Sequence, residues 1–272
     1  MRWYRRLITP APDEPRAFFI TGGSAGIGRA AAKLFVALGN DVAVTARRQE
    51  RLEALRAECE AEELPGRLLP LVADVTDAQA MQQAVARALA TFNRLDVVIA
   101  NAGIGHRGPL VEASWEDLET VLRTNIDGVL HTVRATVPAL RASGGGHIVL
   151  ISSVLGPVPA PYSAVYSASK AAVDSLGRAL RGELKGDRIR VSVLWVGQTH
   201  TEFAERRLGE GGRVAVRWPT MTAEQVAGGI ARVLEQHQRA MTLRWVDSVF
   251  VCVGRRLPAL MDWLLTRFYR PA

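Results

Sequence analysis

Tyr162, Tyr166 and Lys170 stand four residues apart in the stretch YSAVYSASK (162–170). Residues four apart share one face of a helix, so a helix here would align two phenols and an ammonium. A tyrosine phenol is a weak acid, with a pKa of about 10 in model peptides. A cation beside it favours the phenolate and lowers that value. Proton exchange then moves closer to neutral pH, as general acid–base catalysis requires. Only Tyr166 has a lysine one turn later; Tyr162 has Tyr166 there. Tyr166 is therefore the candidate acid–base residue, and Tyr162 reads as a pocket wall or a packing residue.

A second chemical signal is TGGSAGIG (21–28), between an apolar strand and a helical run. Gly22, Gly26 and Gly28 let the backbone approach a ligand with no Cβ in the way. The following helix offers free N–H groups and the positive end of its dipole, which suits a diphosphate. Ser24 and Ile27 belong to the same turn. The spacing G-x-x-x-G-x-G departs from the common dinucleotide pattern G-x-G-x-x-G.

The elements that must position these residues alternate. Apolar strands are expected at 16–21, 41–46, 67–75, 95–103, 146–153 and 188–196, with another at 239–245. Helical patterns lie between them, including a long one from about Ser114 to Leu140 and one near 222–237. Strands apolar throughout are buried on both faces, which implies a parallel sheet with helices on each side. The 272 residues show no linker, repeat or low-complexity segment, so one α/β domain over 1–272 is expected.

The net charge is +7 and hydrophobic residues make up 48% of the chain, enough for a large core. The arginines are scattered among acids and no nucleic-acid recognition module is visible, so nucleic acid is not an expected partner. Two cysteines, Cys59 and Cys252, read as free thiols of a reducing cytosol. The start has early charges but no apolar core of a secretory signal. The five histidines have no metal-like spacing and read as surface or turn residues, with His200 placed to touch substrate; no metal is expected.

TGGSAGIG, Asn101-Ala102-Gly103, Asn125, the Ser153–Tyr166 spacing and Tyr166-x-x-x-Lys170 together resemble the short-chain dehydrogenase/reductase family, over roughly residues 16–240. The resemblance implies a Rossmann-type, doubly wound parallel sheet of about seven strands, a nicotinamide cofactor, and homodimers or homotetramers. It also implies an active site of Asn125, Ser153, Tyr166 and Lys170. In that site Tyr166 gives a proton to a carbonyl oxygen or takes one from an alcohol. Ser153 bonds the same oxygen, Lys170 also holds the nicotinamide ribose, and Asn125 holds a water linking Lys170 to solvent. Asp74 and its neighbour Val75 would meet the adenine. Asn101, Ala102 and Gly103 would wall the adenosine ribose and support the central strand, and Thr199 and Thr201 would contact carboxamide and phosphate.

The cofactor's flavour is set at the end of the second strand. The family's acidic position for an NAD ribose is Ala46, followed by Arg47 and Arg48. A 2′-phosphate needs cations there, so NADP(H) is expected. After the sixth strand the family's Pro-Gly is replaced by Val196-Gly197, which predicts a looser loop. Residues 202–220 match the family's variable substrate lid, and GEGG (209–212) reads as mobile.

Both ends are distinctive. Residues 1–15 form a basic extension with Trp3, and 246–272 form an amphipathic tail. In the tail Leu257, Leu260, Met261, Leu264, Leu265 and Phe268 recur at helical spacing. Tryptophans beside arginines suit a lipid headgroup boundary; covering the substrate pocket or a subunit interface is the plainer role. Either role implies an apolar carbonyl substrate, in line with a faint likeness to 3-ketosphinganine reductases. A cytoplasmic protein with peripheral membrane contact through the tail follows. The competing functions are an NADP-binding scaffold or redox sensor without catalysis, and an epimerase or dehydratase on the same scaffold.

Overall fold

The computed structural model describes residues 15–209 and 220–268. The chain runs β1 (Ala17–Thr21), α1 (Gly26–Ala37), β2 (Asp41–Ala46), α2 (Gln49–Ala61), β3 (Arg67–Val72), α3 (Ala78–Phe92) and β4 (Val97–Ala100). Next, α4 (Trp115–Leu122), a π-helical turn (Arg123–Asp127) and α5 (Gly128–Ala142) follow end to end. Then come β5 (Gly146–Ser153), α6 (Ala164–Glu183), β6 (Ile189–Val196), β7 (Thr199–His200), β8 (Met221–Thr222), α7 (Ala223–Gln236), β9 (Ala240–Thr242), α8 (Trp245–Arg256) and α9 (Pro258–Phe268).

Seven strands pair in parallel in the order β3-β2-β1-β4-β5-β6-β9. Side chains alternate between the two faces. Phe19, Ala43, Val98 and Ile148 pack under α3, α5 and α6. Phe18, Val42, Ile99 and Val149 pack under α1, α2 and α7. Each buried Phe, Val or Ile among them contributes about 1.5–3 kcal/mol, and the apolar runs of the sequence are the direct record of this two-sided packing. Strand order reverses between β1 and β4, and such a switch point opens a crevice at the carboxyl ends of the strands.

Several boundaries differ from the sequence pattern. β3 stops at Val72 and β4 at Ala100 because the residues after each leave the sheet to line the crevice. Tyr162 precedes α6 with φ of 60°, so it does not share a row with Tyr166 and Lys170, and it does not line the crevice. α8 and the short pair β7–β8 carry no clear signal of their own. In α9, Met261 and Leu265 are buried against Val158 and Ala160, while Leu257, Leu260 and Trp263 remain exposed. The basic extension through residue 14, residues 210–219 of the segment expected to be a substrate lid (202–220) and the chain after 268 lie outside the described residues. Among the described residues, no helix is long and apolar enough to cross a membrane.

The helix expected from Ser114 to Leu140 is continuous but carries the π-helical turn. Asn125, fully buried, sits in that turn. Its Oδ1 accepts from Ile104 N at 2.8 Å, and its Nδ2 donates to Ile104 O and to Ser169 Oγ, each at 2.9 Å. Ser169 Oγ in turn donates to Tyr166 O at 2.7 Å. One carboxamide thus joins the loop after β4 to α6. Asn125→Ala strips partners from buried groups on both, at about 1–3 kcal/mol for each group left unpaired. The expected result is a thermal midpoint lower by roughly 5–10 °C in calorimetry. A midpoint within about a degree of wild type would show that these bonds are dispensable.

Candidate active site

The glycine turn is built by close approach. Gly22 has φ of 72°, and a Cβ there would lie 2.8 Å from Ala102 Cα. A Cβ on Gly28 would lie 2.4 Å from Gly22 O. Asn101 supports the turn from below: its Nδ2 donates to Thr21 O at 2.9 Å and to Gly22 O at 3.3 Å. α1 starts at Gly26 with no side-chain cap and no acidic residue in its first turn. Its first N–H groups are therefore available to an anion. Gly23, overlooked in the sequence, lets the turn pass Val44.

The opposite end of the crevice holds the phenol. Tyr166 projects from the first turn of α6, and Ser153 ends β5 beside it. Burial pushes the Tyr166 phenol up to about 12, opposed by its hydrogen bond with Ser153. The sequence-based expectation of a lowered value is thus reversed. The cause is visible in Lys170: its Nζ donates to Ile151 O at 2.9 Å and lies 5.9 Å from the Tyr166 ring centroid. Burial pushes Lys170 itself down to about 8, against a raising influence from Asp174. Phe203 packs across the Tyr166 ring at 5.9 Å. Asn125 stands behind Gly103, where an added Cβ would lie 3.1 Å from its Oδ1. Its carboxamide is engaged with Ile104 and Ser169 rather than facing Lys170.

A third set of residues completes the crevice. Arg47 and Arg48 immediately precede α2, and both line the crevice. Arg48 Nη2 donates to Ser24 Oγ at 3.0 Å. Arg47 Nη1 lies 3.7 Å from Asp74 Oδ2, while Asp74 Oδ1 accepts from Thr76 N and Oγ1 at 2.9 Å. Val75 O meets His131 Nδ1 at 2.9 Å. Thr199 Oγ1 donates to Gly197 O at 3.1 Å, and Thr201 lies against Gly26.

Of the catalytic and cofactor residues expected from the sequence, all line one crevice of about 500 Å³ except Gly28 and Asn125, which support it from behind. Three histidine assignments change. His200 is exposed and outside the crevice, whereas His106 lines it, buried with Nε2 unpaired. His147, expected at the surface, is buried in the sheet against Ser192. The loop after β6, where the family's proline is missing, packs closely on a neighbouring ion pair. Gly197 lies flat against the Arg244–Asp247 ion pair of α8, where a Cβ would come within 2.6 Å of both side chains. Apolar walls come from Ile104, Leu155, Phe203 and Phe250. These features fit a dinucleotide: a cradle without side chains at a helix N-terminus, cations at one end, and a half-buried phenol at the other.

Comparison with known proteins agrees. Residues 16–210 match the family model described as short chain dehydrogenase. The chain is 34% identical to 3-ketodihydrosphingosine reductase of Bacteroides thetaiotaomicron over 71% of its own length and 68% of that protein. It resembles the alcohol dehydrogenase of Thermococcus sibiricus solved with 5-hydroxy-NADP, at 28% identity and a TM-score of 0.75, covering 86% of this chain and 98% of that one. A short-chain dehydrogenase/reductase of Burkholderia phymatum solved with NAD shares the fold at 23% identity and a TM-score of 0.83, covering 94% and 97%. The chain belongs to the short-chain dehydrogenase/reductase family.

Proposed function

We propose that this chain is an NADP(H)-dependent oxidoreductase interconverting a carbonyl compound and an alcohol, with Tyr166 as general acid and base. The observation that carries the reading is the half-buried Tyr166 phenol, beside Ser153 and backed by Lys170, at one end of a crevice whose other end is a glycine cradle. The bound nicotinamide supplies or accepts the hydride. Tyr166 gives its proton to the carbonyl oxygen in reduction, and Ser153 holds that oxygen in line. Lys170 bonds the nicotinamide ribose and turns its charge toward the phenol. Gly22, Ser24, Gly26, Ile27 and Gly28 seat the diphosphate. Asp74, Val75, Asn101, Ala102 and Gly103 border the adenosine, and Thr199 and Thr201 take the carboxamide and phosphate. Asn125 fixes the loop and helix between which the proton must move.

A phenol that keeps its proton up to high pH is present in its donor form near neutrality. Tyr166→Phe removes the donor. We expect kcat to fall by about two orders of magnitude or more, with Kd for NADPH within about twofold of wild type. Retention of more than about a tenth of wild-type turnover would remove Tyr166 from its role.

The 2′-phosphate is assigned to Arg47 and Arg48. Each charged contact is worth about 1.5–3 kcal/mol, so Arg47→Ala with Arg48→Ala is expected to abolish a preference for NADPH through its KM or Kd. Equal wild-type kcat/KM for NADPH and NADH would refute the assignment.

The same reading takes the protein as a cytoplasmic homodimer or homotetramer acting on an apolar, lipid-like carbonyl substrate. Ile104, Leu155, Phe203 and Phe250 support the apolar site. Trp245, at the start of α8, and Trp263, in α9, are 77% and 59% exposed, while Arg255 and Arg256 close α8 and Arg267 lies in the last turn of α9. Arg267 stacks on Trp263 at 5.7 Å. Rings and cations so arranged favour an anionic bilayer surface. The full chain should pellet with anionic vesicles at low salt, and Trp245→Ala with Trp263→Ala should leave it in the supernatant. A wild-type chain that stays in the supernatant rules the membrane contact out.

A further inference from the structure

At the adenosine end of the crevice, one carboxylate stands among three guanidinium groups. Glu202 Oε2 accepts from Arg206 Nη2 at 2.5 Å and lies 3.7 Å from Arg48 Nη1. Its Oε1 lies 3.7 Å from Arg51 Nη1. Arg48 and Arg51 flank the start of α2, whereas Glu202 and Arg206 belong to the segment after β7. Three cations against one anion leave this cluster with an excess of two positive charges. Arg48, Glu202 and Arg206 all line the crevice, and Arg48 also reaches Ser24 in the glycine turn. A phosphate dianion matches that excess in sign and size.

The residues around Glu202 connect this cluster to the rest of the crevice. Thr201 rests on Gly26, where a Cβ would lie 3.3 Å from Thr201 Cβ. Phe203 packs on the Tyr166 ring and against Gly105. Moving Glu202 therefore shifts a segment that touches both the diphosphate cradle and the phenol.

We propose that Glu202 is a specificity-determining residue that competes with the cofactor's 2′-phosphate for Arg48. The proposal rests on the NADP(H) reading and deepens it. A ribose bearing the phosphate displaces the carboxylate from Arg48, whereas a ribose without it leaves Glu202 in place. Arg206, paired to Glu202 within the segment, moves with it.

The test is direct binding rather than turnover. Calorimetry on the full chain measures Kd for 2′,5′-ADP and 5′-AMP, with wild type and Glu202→Gln. The variant keeps the side chain's size and removes its charge at a third-exposed position, and its thermal midpoint should match wild type. The expected result is tighter 2′,5′-ADP binding by about tenfold, with 5′-AMP changed less than about twofold. Tightening of both probes alike, or weaker 2′,5′-ADP binding, overturns the proposal. A wild-type preference for 2′,5′-ADP that is unchanged in Glu202→Gln overturns it while the NADP(H) reading stands. No wild-type preference at all overturns both.

Discussion

The site depends on how the buried carboxamide of Asn125 is satisfied. A carboxamide in a dry interior must find partners, since each polar group left unpaired there costs about 1–3 kcal/mol. Asn125 uses both its oxygen and its nitrogen on Ile104 and Ser169, and Ser169 bonds the carbonyl of Tyr166. These bonds join the loop after β4 to the helix that bears the phenol. The π-helical turn is what brings Asn125 inward, and such turns recur where function demands a local departure from the α-helix. The sheet supplies the platform; this carboxamide sets the distance between the Asn101–Gly103 loop and Tyr166–Lys170.

Burial then sets the protonation of the site. Tyr166 is held as a phenol well above neutral pH, and Lys170 is brought down to about 8. Both effects have one cause, because an apolar surround disfavours whichever form is charged. Ser153 is the opposing influence on Tyr166, and Asp174 on Lys170. The Lys170 ammonium is bonded to the Ile151 carbonyl, so its effect on the phenol is weaker than spacing alone implies. A site so arranged keeps Tyr166 protonated near neutral pH.

Much of this was legible in residue types. β2, α3 and β5 coincide with their apolar or periodic runs because two-sided burial leaves uninterrupted apolar strands. The glycine turn was visible because no other residue tolerates the approach of Gly28 to Gly22. Tyr166 and Lys170 follow from helical spacing. Tyr162 was misplaced because its left-handed backbone conformation has no signature in a tyrosine. The π-helical turn reads as ordinary helix, since one extra residue per turn leaves the apolar pattern nearly intact. The seating of Gly197 on Arg244–Asp247 and the gathering of Arg48, Arg51 and Arg206 on Glu202 join segments distant in sequence. Only the folded chain brings them together.

The central claim is that hydride passes between a nicotinamide and a carbonyl carbon in this crevice. It is tested most directly by incubating the purified chain with NADPH deuterated on either face of nicotinamide C4 and a series of ketones of rising chain length. Mass spectrometry then locates the label. The account predicts deuterium on the carbinol carbon from one of the two labelled faces, with one alcohol formed per NADPH oxidised. Cofactor that binds but yields no labelled alcohol from any ketone would contradict it.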